Sequence, residues 1–290
     1  MAVSATAPLK LPAPAKINLF LHVTGRRSDG YHSVETLLVP LDYCDWITLS
    51  LRPAREITRS RGPAAVPVDD DLAVRAARLL QRRCGVEHGV DIELEKRIPI
   101  GGGLGGGSSD AATVLLGLNR LWGLGLDRRA LMSFALELGV DVPFFVFGAP
   151  AFAHGIGERL ESFSLPATWF VILAPRAQAS TARIFAAPEL TRQTPSAKIP
   201  AFSEAYGGND LQAVAVSRFP GIADQLAALS RAAPQGIRVA MSGSGASVFA
   251  AFAEEEAAVE SLSRATRAGE IEGFVARALN RHPLHQFAAS

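Results

Sequence analysis

Between residues 16 and 23, Ile17, Leu19, Leu21 and Val23 alternate with Lys16, Asn18, Phe20 and His22. A side-chain period of two predicts a β-strand and sets Lys16 and Asn18 on one face of it. Residues 34–41 and 46–51 read as two further strands. Residues 70–83 read as a helix with Leu72, Ala76, Leu79 and Leu80 along one side. A strand over 90–95 runs into a glycine-rich segment. From Ser108 onward Ala111, Leu115, Leu118 and Trp122 fall on one helical face, with Ser108 or Ser109 as the expected cap. A second helix covers 127–138, with Asp127 at its start and Gly139 just past its end. Residues 151–160 read as a hairpin turning at His154-Gly155-Ile156-Gly157.

A new pattern begins near residue 166. A strand is expected over 169–174, and helices within 181–187 and much of 209–233. Strands over 238–241 and 247–252 flank a Gly/Ser turn, followed by a helix over 254–268 and a strand over 273–279. That order is β-α-β-β-α-β, the ferredoxin-like arrangement. The stretch 188–203, with three prolines, reads as a loop inside this half. A chain of 290 residues exceeds the usual span of one core. Two α+β domains are therefore expected, 1–163 and 164–290.

Charge and cysteine usage narrow the class. Twenty-nine basic residues against 28 acidic ones leave a net charge of +1, not the strongly basic balance of a nucleic-acid binder. Cys44 and Cys84 form no metal-ligand spacing and suit free thiols in a reducing compartment. The Ala/Pro-rich start lacks the pattern of a signal peptide. The most apolar stretch, 140–153, is too short to span a bilayer and contains Asp141. A cytoplasmic enzyme with no membrane and no nucleic-acid partner is expected.

The chemistry concentrates in Pro99-Ile100-Gly101-Gly102-Gly103-Leu104-Gly105-Gly106-Gly107-Ser108-Ser109. Six glycines in seven positions allow close backbone approach, and the segment delivers into a helix N-terminus, where free N–H groups favour an anion. Polyphosphate suits this best, ahead of a flexible linker. No Gly-Lys-Ser/Thr closes the loop, so it is not a Walker A motif. Gly101, Gly103 and Gly106 satisfy G-x-G-x-x-G literally, but no acidic residue follows at the end of a next strand. The protein-kinase H-R-D and D-F-G motifs and the G-x-S-x-G elbow are absent. Taken singly, Lys16 reads as a solvated edge charge, Asp141 equally as a helix N-cap before Pro143, and residues 241–247 as a β-turn.

Together these segments resemble the GHMP kinases, in the branch that acts on a diphosphocytidyl sugar alcohol. The glycine segment, preceded by Lys96-Arg97-Ile98, is similar to that family's ATP loop. Pro14-Ala15-Lys16-Ile17-Asn18-Leu19-Phe20-Leu21, Arg27-Ser28-Asp29-Gly30-Tyr31-His32, Leu138-Gly139-Val140-Asp141-Val142-Pro143-Phe144-Phe145 and Met241-Ser242-Gly243-Ser244-Gly245-Ala246-Ser247 match its other motifs. The resemblance implies a ribosomal-S5-like N-terminal ATP-binding domain and a ferredoxin-like C-terminal domain. It implies ATP and Mg2+ as cofactors, with ATP held by Lys96 and residues 99–109. Lys16 and Asp141 become the catalytic pair. Asn18, Tyr31, His32, Thr181 and Phe185 become substrate contacts, the last two within Ser180-Thr181-Ala182-Arg183-Ile184-Phe185. Ser242, Gly243, Ser244 and Gly245 form a third glycine motif. The implied reaction phosphorylates the 2-hydroxyl of 4-diphosphocytidyl-2-C-methyl-D-erythritol, in non-mevalonate isoprenoid synthesis. Where the family often has Asn, this chain has Asp71, and no carboxylate pair marks a magnesium cage. The competing readings are a sister kinase for homoserine or mevalonate, and a non-catalytic nucleotide- or RNA-binding module.

Overall fold

Nothing between residues 42 and 45 turns the chain, since Asp42-Tyr43-Cys44-Asp45 contains neither Gly nor Pro. In the computed structural model, which describes residues 7–174, 180–196, 208–267, 269 and 271–289, the two strands expected there are accordingly one, β2 (His32–Arg52). It pairs antiparallel with β1 (Leu9–Arg26), from Leu9↔Leu49 to Arg26↔His32. The register shifts between Pro14 and Lys16, as expected where proline cannot donate to the ladder. There the Lys16 N–H donates to Leu104 O at 2.9 Å, tying β1 to the glycine loop.

The first sheet is completed by β3 (Ile57–Arg61), β4 (Gly89–Glu95), β5 (Ala151–His154) and β6 (Arg159–Ser162), in the order β3-β4-β2-β5-β6 with β1 on β2. The hairpin of β5 and β6 is as expected, whereas β3 was hidden in an arginine-rich stretch. Helices α1 (Leu72–Cys84), α2 (Gly106–Leu121), α3 (Arg128–Leu138) and α4 (Val142–Phe147) share a core with this sheet. Asp71 accepts from Ala73 N at 2.9 Å and Asp127 from Ala130 N at 2.7 Å, so both start their helices as caps. Gly85 ends α1 in the left-handed region at φ 64°.

The second half contains β7 (Trp169–Ala174), α5 (Thr181–Phe185), α6 (Gln212–Arg218), α7 (Pro220–Ala232), β8 (Val239–Met241), β9 (Val248–Phe252), α8 (Glu255–Thr266) and β10 (Glu272–Arg277). Its sheet runs β10-β7-β9-β8, the strand order of the ferredoxin-like fold with a multi-helix first crossover. Of the expected loop over 188–203, residues 197–203 lie outside the described residues. The last residues return to the first core: Leu284 and Ala288 are buried in it, and Asn119 Nδ2 donates to Phe287 O at 3.0 Å. Among the described residues no helix is long and apolar enough to cross a membrane.

Candidate active site

The glycine loop is held by backbone at distances only glycine tolerates. Gly103 has φ +75°, and a Cβ there would stand 2.7 Å from Ser242 O and 2.8 Å from Gly245 O. At Gly105 (φ +73°) a Cβ would meet Lys16 Cγ and Phe145 Cζ, each at 2.9 Å. The turn of residues 241–247 is thus both a β-turn between β8 and β9 and a clamp on the loop, with Ser247 N donating to Gly102 O at 3.1 Å. The cap expected from Ser108 or Ser109 is not made. Helix α2 begins two residues earlier, after Gly105, with no side-chain cap, and both serines lie inside its first turn. A left-handed glycine reverses the chain into the helix, so its first N–H groups face the loop rather than a side chain. Ser109 Oγ is buried without a partner.

Beside the loop, Lys16 and Asn18 share a strand face as the period of two requires, and Lys16 Nζ donates to Asn18 Oδ1 at 2.7 Å. Asn18 Nδ2 donates in turn to Thr36 Oγ1 at 2.8 Å, and Thr36 donates to Phe20 O. This chain fixes the amide so that its oxygen faces the ammonium. Lys16 Nζ lies 3.5 Å from Asp141 Oδ2, with side-chain exposures of 5% and 40%. Asp141 occupies the N-cap position of α4 but makes no cap hydrogen bond, so its carboxylate belongs to the cleft. The Asn18 N–H donates to Ser242 Oγ at 3.1 Å, so the second half of the chain reaches this point too.

Lys96 lines the space beneath the loop, yet its ammonium donates to Asp45 Oδ2 and, at 2.7 Å, to Asp110 Oδ2. Asp45 is fully buried and also accepts from Arg97 N and, at 2.8 Å, Ile98 N. The lysine therefore anchors the root of the loop. Burial works against its charge, but Asp110 and Asp45 hold its pKa above the ordinary value. Burial pushes the Asp110 carboxyl up to about 8, against the pull of Lys96. Asp71, buried in the same wall, accepts from Arg59 Nη1 at 2.5 Å.

Two cavities meet across the loop. One, of about 230 Å³, is lined by Lys96, Pro99, Ile100 and Gly101 to Gly107. The other, of about 650 Å³, holds Lys16, Asn18, Asp141, Tyr31, His32, Thr181, Phe185, Gly243 and Ser244. Gly103 and Gly105 line both. The larger cavity is lined by three cationic side chains, Lys16, Arg26 and Arg192, and by one carboxylate, Asp141, a balance suited to an anionic ligand. At its far end the rings of His32 and Phe185 stand 5.2 Å apart, and Tyr31 is 57% exposed. Thr181 Oγ1 and Ser244 Oγ are 2.6 Å apart, joining α5 to the third glycine motif.

Of the residues expected in the site, all but Ser108, Ser109, Ser242 and Gly245 line one of these two cavities; the two serines of α2 lie within its first turn, and Ser242 and Gly245 act from behind the loop. Several residues support the site in ways the sequence does not show. Asp45 shows only as one acid beside an apolar strand. Asn209 Nδ2 donates to Met241 O at 2.8 Å and Gly243 O at 2.7 Å, holding the third motif from behind. Arg192 lies in the proline-rich stretch and carries no local signal.

Comparison with known proteins agrees with this geometry. Family models described as GHMP kinases N terminal domain and GHMP kinases C terminal match residues 71–149 and 189–271. The chain is 51% identical, over 99% of its length and 96% of the relative's, to a 4-diphosphocytidyl-2-C-methyl-D-erythritol kinase of Nitrosospira multiformis. It is similar to a crystal structure of 4-(cytidine 5'-diphospho)-2C-methyl-D-erythritol kinase, with a TM-score of 0.78 and 35% identity, covering 93% of this chain and 99% of that one. A homoserine kinase from Cytophaga hutchinsonii shares the fold, with a TM-score of 0.72 and 19% identity over 97% of this chain and 98% of that one.

Proposed function

This chain belongs to the GHMP kinase family and is an ATP-dependent phosphotransferase, and we propose that its acceptor is the 2-hydroxyl of 4-diphosphocytidyl-2-C-methyl-D-erythritol. The observation that carries the reading is the Lys16–Asp141 pair at the loop shared by the two cavities. The smaller cavity takes the nucleotide, and the glycine N–H groups face its phosphates. The larger one takes the acceptor, with its cytidylyl end against Tyr31, His32 and Phe185. Full-length likeness to kinases named for that substrate supports the same assignment.

Asp141 accepts the acceptor hydroxyl proton while that oxygen attacks the γ-phosphorus and the bond to the ADP oxygen breaks. Lys16, oriented by Asn18, faces the negative charge that spreads over the transferred group. GHMP kinases use ATP, generally with Mg2+. No cluster of three carboxylate, imidazole or thiolate groups exists among the described residues. An ion carried mainly by phosphate oxygens and waters would suit this wall, with Asp141 as the carboxylate that lines the larger cavity beside Lys16. Magnesium bound so would neutralise phosphate charge.

The test is ATP consumption by purified protein with magnesium, offered the cytidylyl substrate, homoserine and mevalonate in parallel. Turnover with the first alone is expected. Turnover with another moves the pocket assignment, and none with all three removes the proposed acceptor.

A further inference from the structure

Arg192 donates to a set of backbone carbonyls at the end of α5. Its Nη1 donates to Leu190 O at 3.1 Å and Pro188 O at 3.4 Å, and its Nη2 to Ala187 O at 2.5 Å and Phe185 O at 3.3 Å. The one remaining N–H, on Nε, donates to His32 Nε2 at 3.2 Å. A guanidinium has donors and no acceptor. His32 Nε2 is therefore the acceptor, and the single proton of a neutral imidazole must stand on Nδ1. Burial, then the charges of Arg192 and Arg26, hold the His32 pKa below its ordinary value, which favours that neutral ring. Four carbonyl contacts leave the guanidinium little freedom to turn away. One side chain thus ties His32, on β2, to the turn that carries Phe185 in the other half of the molecule.

We propose that Arg192 is a positioning residue that fixes His32 as its Nδ1–H tautomer and thereby sets the cleft to accept a cytosine edge and refuse a uracil edge. This rests on the acceptor reading above, in which His32 meets the base. Cytosine presents N3 as an acceptor, whereas uracil presents N3–H as a donor. A fixed Nδ1–H donor matches the first and sets two donors against each other in the second. An imidazole free to exchange tautomers could offer Nδ1 as an acceptor and would tolerate both. Sites built around one hydrogen bond discriminate by leaving the wrong partner unpaired.

The imidazole ¹⁵N shifts of wild-type protein at neutral pH, with His32 assigned from His32→Gln, test the first half without any substrate. The expected spectrum has Nδ1 protonated and Nε2 bare. Protonated Nε2, or an even mixture, overturns the proposal. Arg192→Met tests the second half through kcat/KM for the cytidylyl substrate and its uridylyl analogue. The preference for cytidylyl is expected to fall by about tenfold or more, with His32 shifts averaged between tautomers. An unchanged preference in a folded variant overturns the specificity role. If the variant does not fold, the wild-type spectrum still decides the tautomer. If wild-type protein turns over neither compound, the acceptor reading fails while the nitrogen shifts still judge Arg192.

Discussion

At the glycine-loop end of the cleft, proposed to take the phosphates, the contacts are made by backbone: Ser247 N on Gly102 O, Lys16 N on Leu104 O, and glycine positions where a Cβ would collide with carbonyl oxygens. At the other end, proposed to take the base, they are made by side chains from three separate segments: Tyr31 and His32, Phe185, and Arg192. At the first end Gly102 and Leu104 are buried under the 241–247 turn and β1, although Ile100 at the rim is exposed; at the second Tyr31 stands half in solvent. Chemistry shared by any phosphoryl transfer needs the fixed geometry of the first. Choice among acceptors can be altered in the second without disturbing that geometry. Kinases of one fold can therefore differ in substrate.

The largest effect that sharpens this contrast is at Asp141. Asp141→Asn is expected to lower kcat by about a hundred- to ten-thousand-fold, with KM for ATP nearly unchanged. A loss under tenfold would remove the base assignment. Next comes Gly103→Ala, at φ +75° with two carbonyl oxygens within 2.8 Å of the new Cβ. The strain is expected to be about 1–3 kcal/mol and to appear as lower thermal stability together with a higher KM for ATP. A variant as stable as wild type, with unchanged KM, would show that the loop is not held as tightly as its contacts indicate. A smaller effect belongs to the end lined by side chains. Tyr31→Ala is expected to raise KM for the cytidylyl substrate roughly two- to tenfold, the worth of one aromatic contact, and to spare ATP. Equal changes in both would erase the distinction between the two ends.

The same contrast explains what was legible in the sequence. Glycine is needed wherever backbone approaches backbone, so the loop and the 241–247 turn announce themselves by composition. A strand period of two set Lys16 and Asn18 on one face, and Asp141 stood out as one acid in an apolar stretch, but their roles in a site were implied only by the family resemblance. Strand β1 was underestimated because Pro12 and Pro14 look like breakers, although a strand with a bulge accommodates them, and β2 because the polar residues around Asp42 and Asp45 interrupt its apolar pattern. The cap on α2 was misplaced because serine is a common cap, while here a left-handed glycine reverses the chain first. Arg192 was invisible, since its partners are mainly backbone carbonyls, which leave no residue signature, and His32 lies 160 positions away.

The smallest predicted effect concerns the root of the loop and is one of stability. Asp45 and Asp110 both face Lys96, but they are not equivalent. Asp45 accepts from two backbone N–H groups as well, whereas Asp110 Oδ1 is buried without a partner. Burial raises the Asp110 pKa from 3.8 to about 8 in the folded chain. Between those values the folded protein keeps a proton that the unfolded chain releases, so its stability declines as pH rises through that window. Asp110→Asn removes the titration and leaves Lys96 paired with Asp45. Thermal unfolding followed across that pH range is expected to show a flatter profile for the variant, with Tm about 2 °C higher at the alkaline end. Asp45→Asn is expected to do the opposite, lowering Tm at every pH, because the ammonium is left with a partner that burial disfavours in its charged form. Parallel profiles for wild type and Asp110→Asn would mean that Asp110 stays ionised throughout and that Lys96 is held equally by both carboxylates.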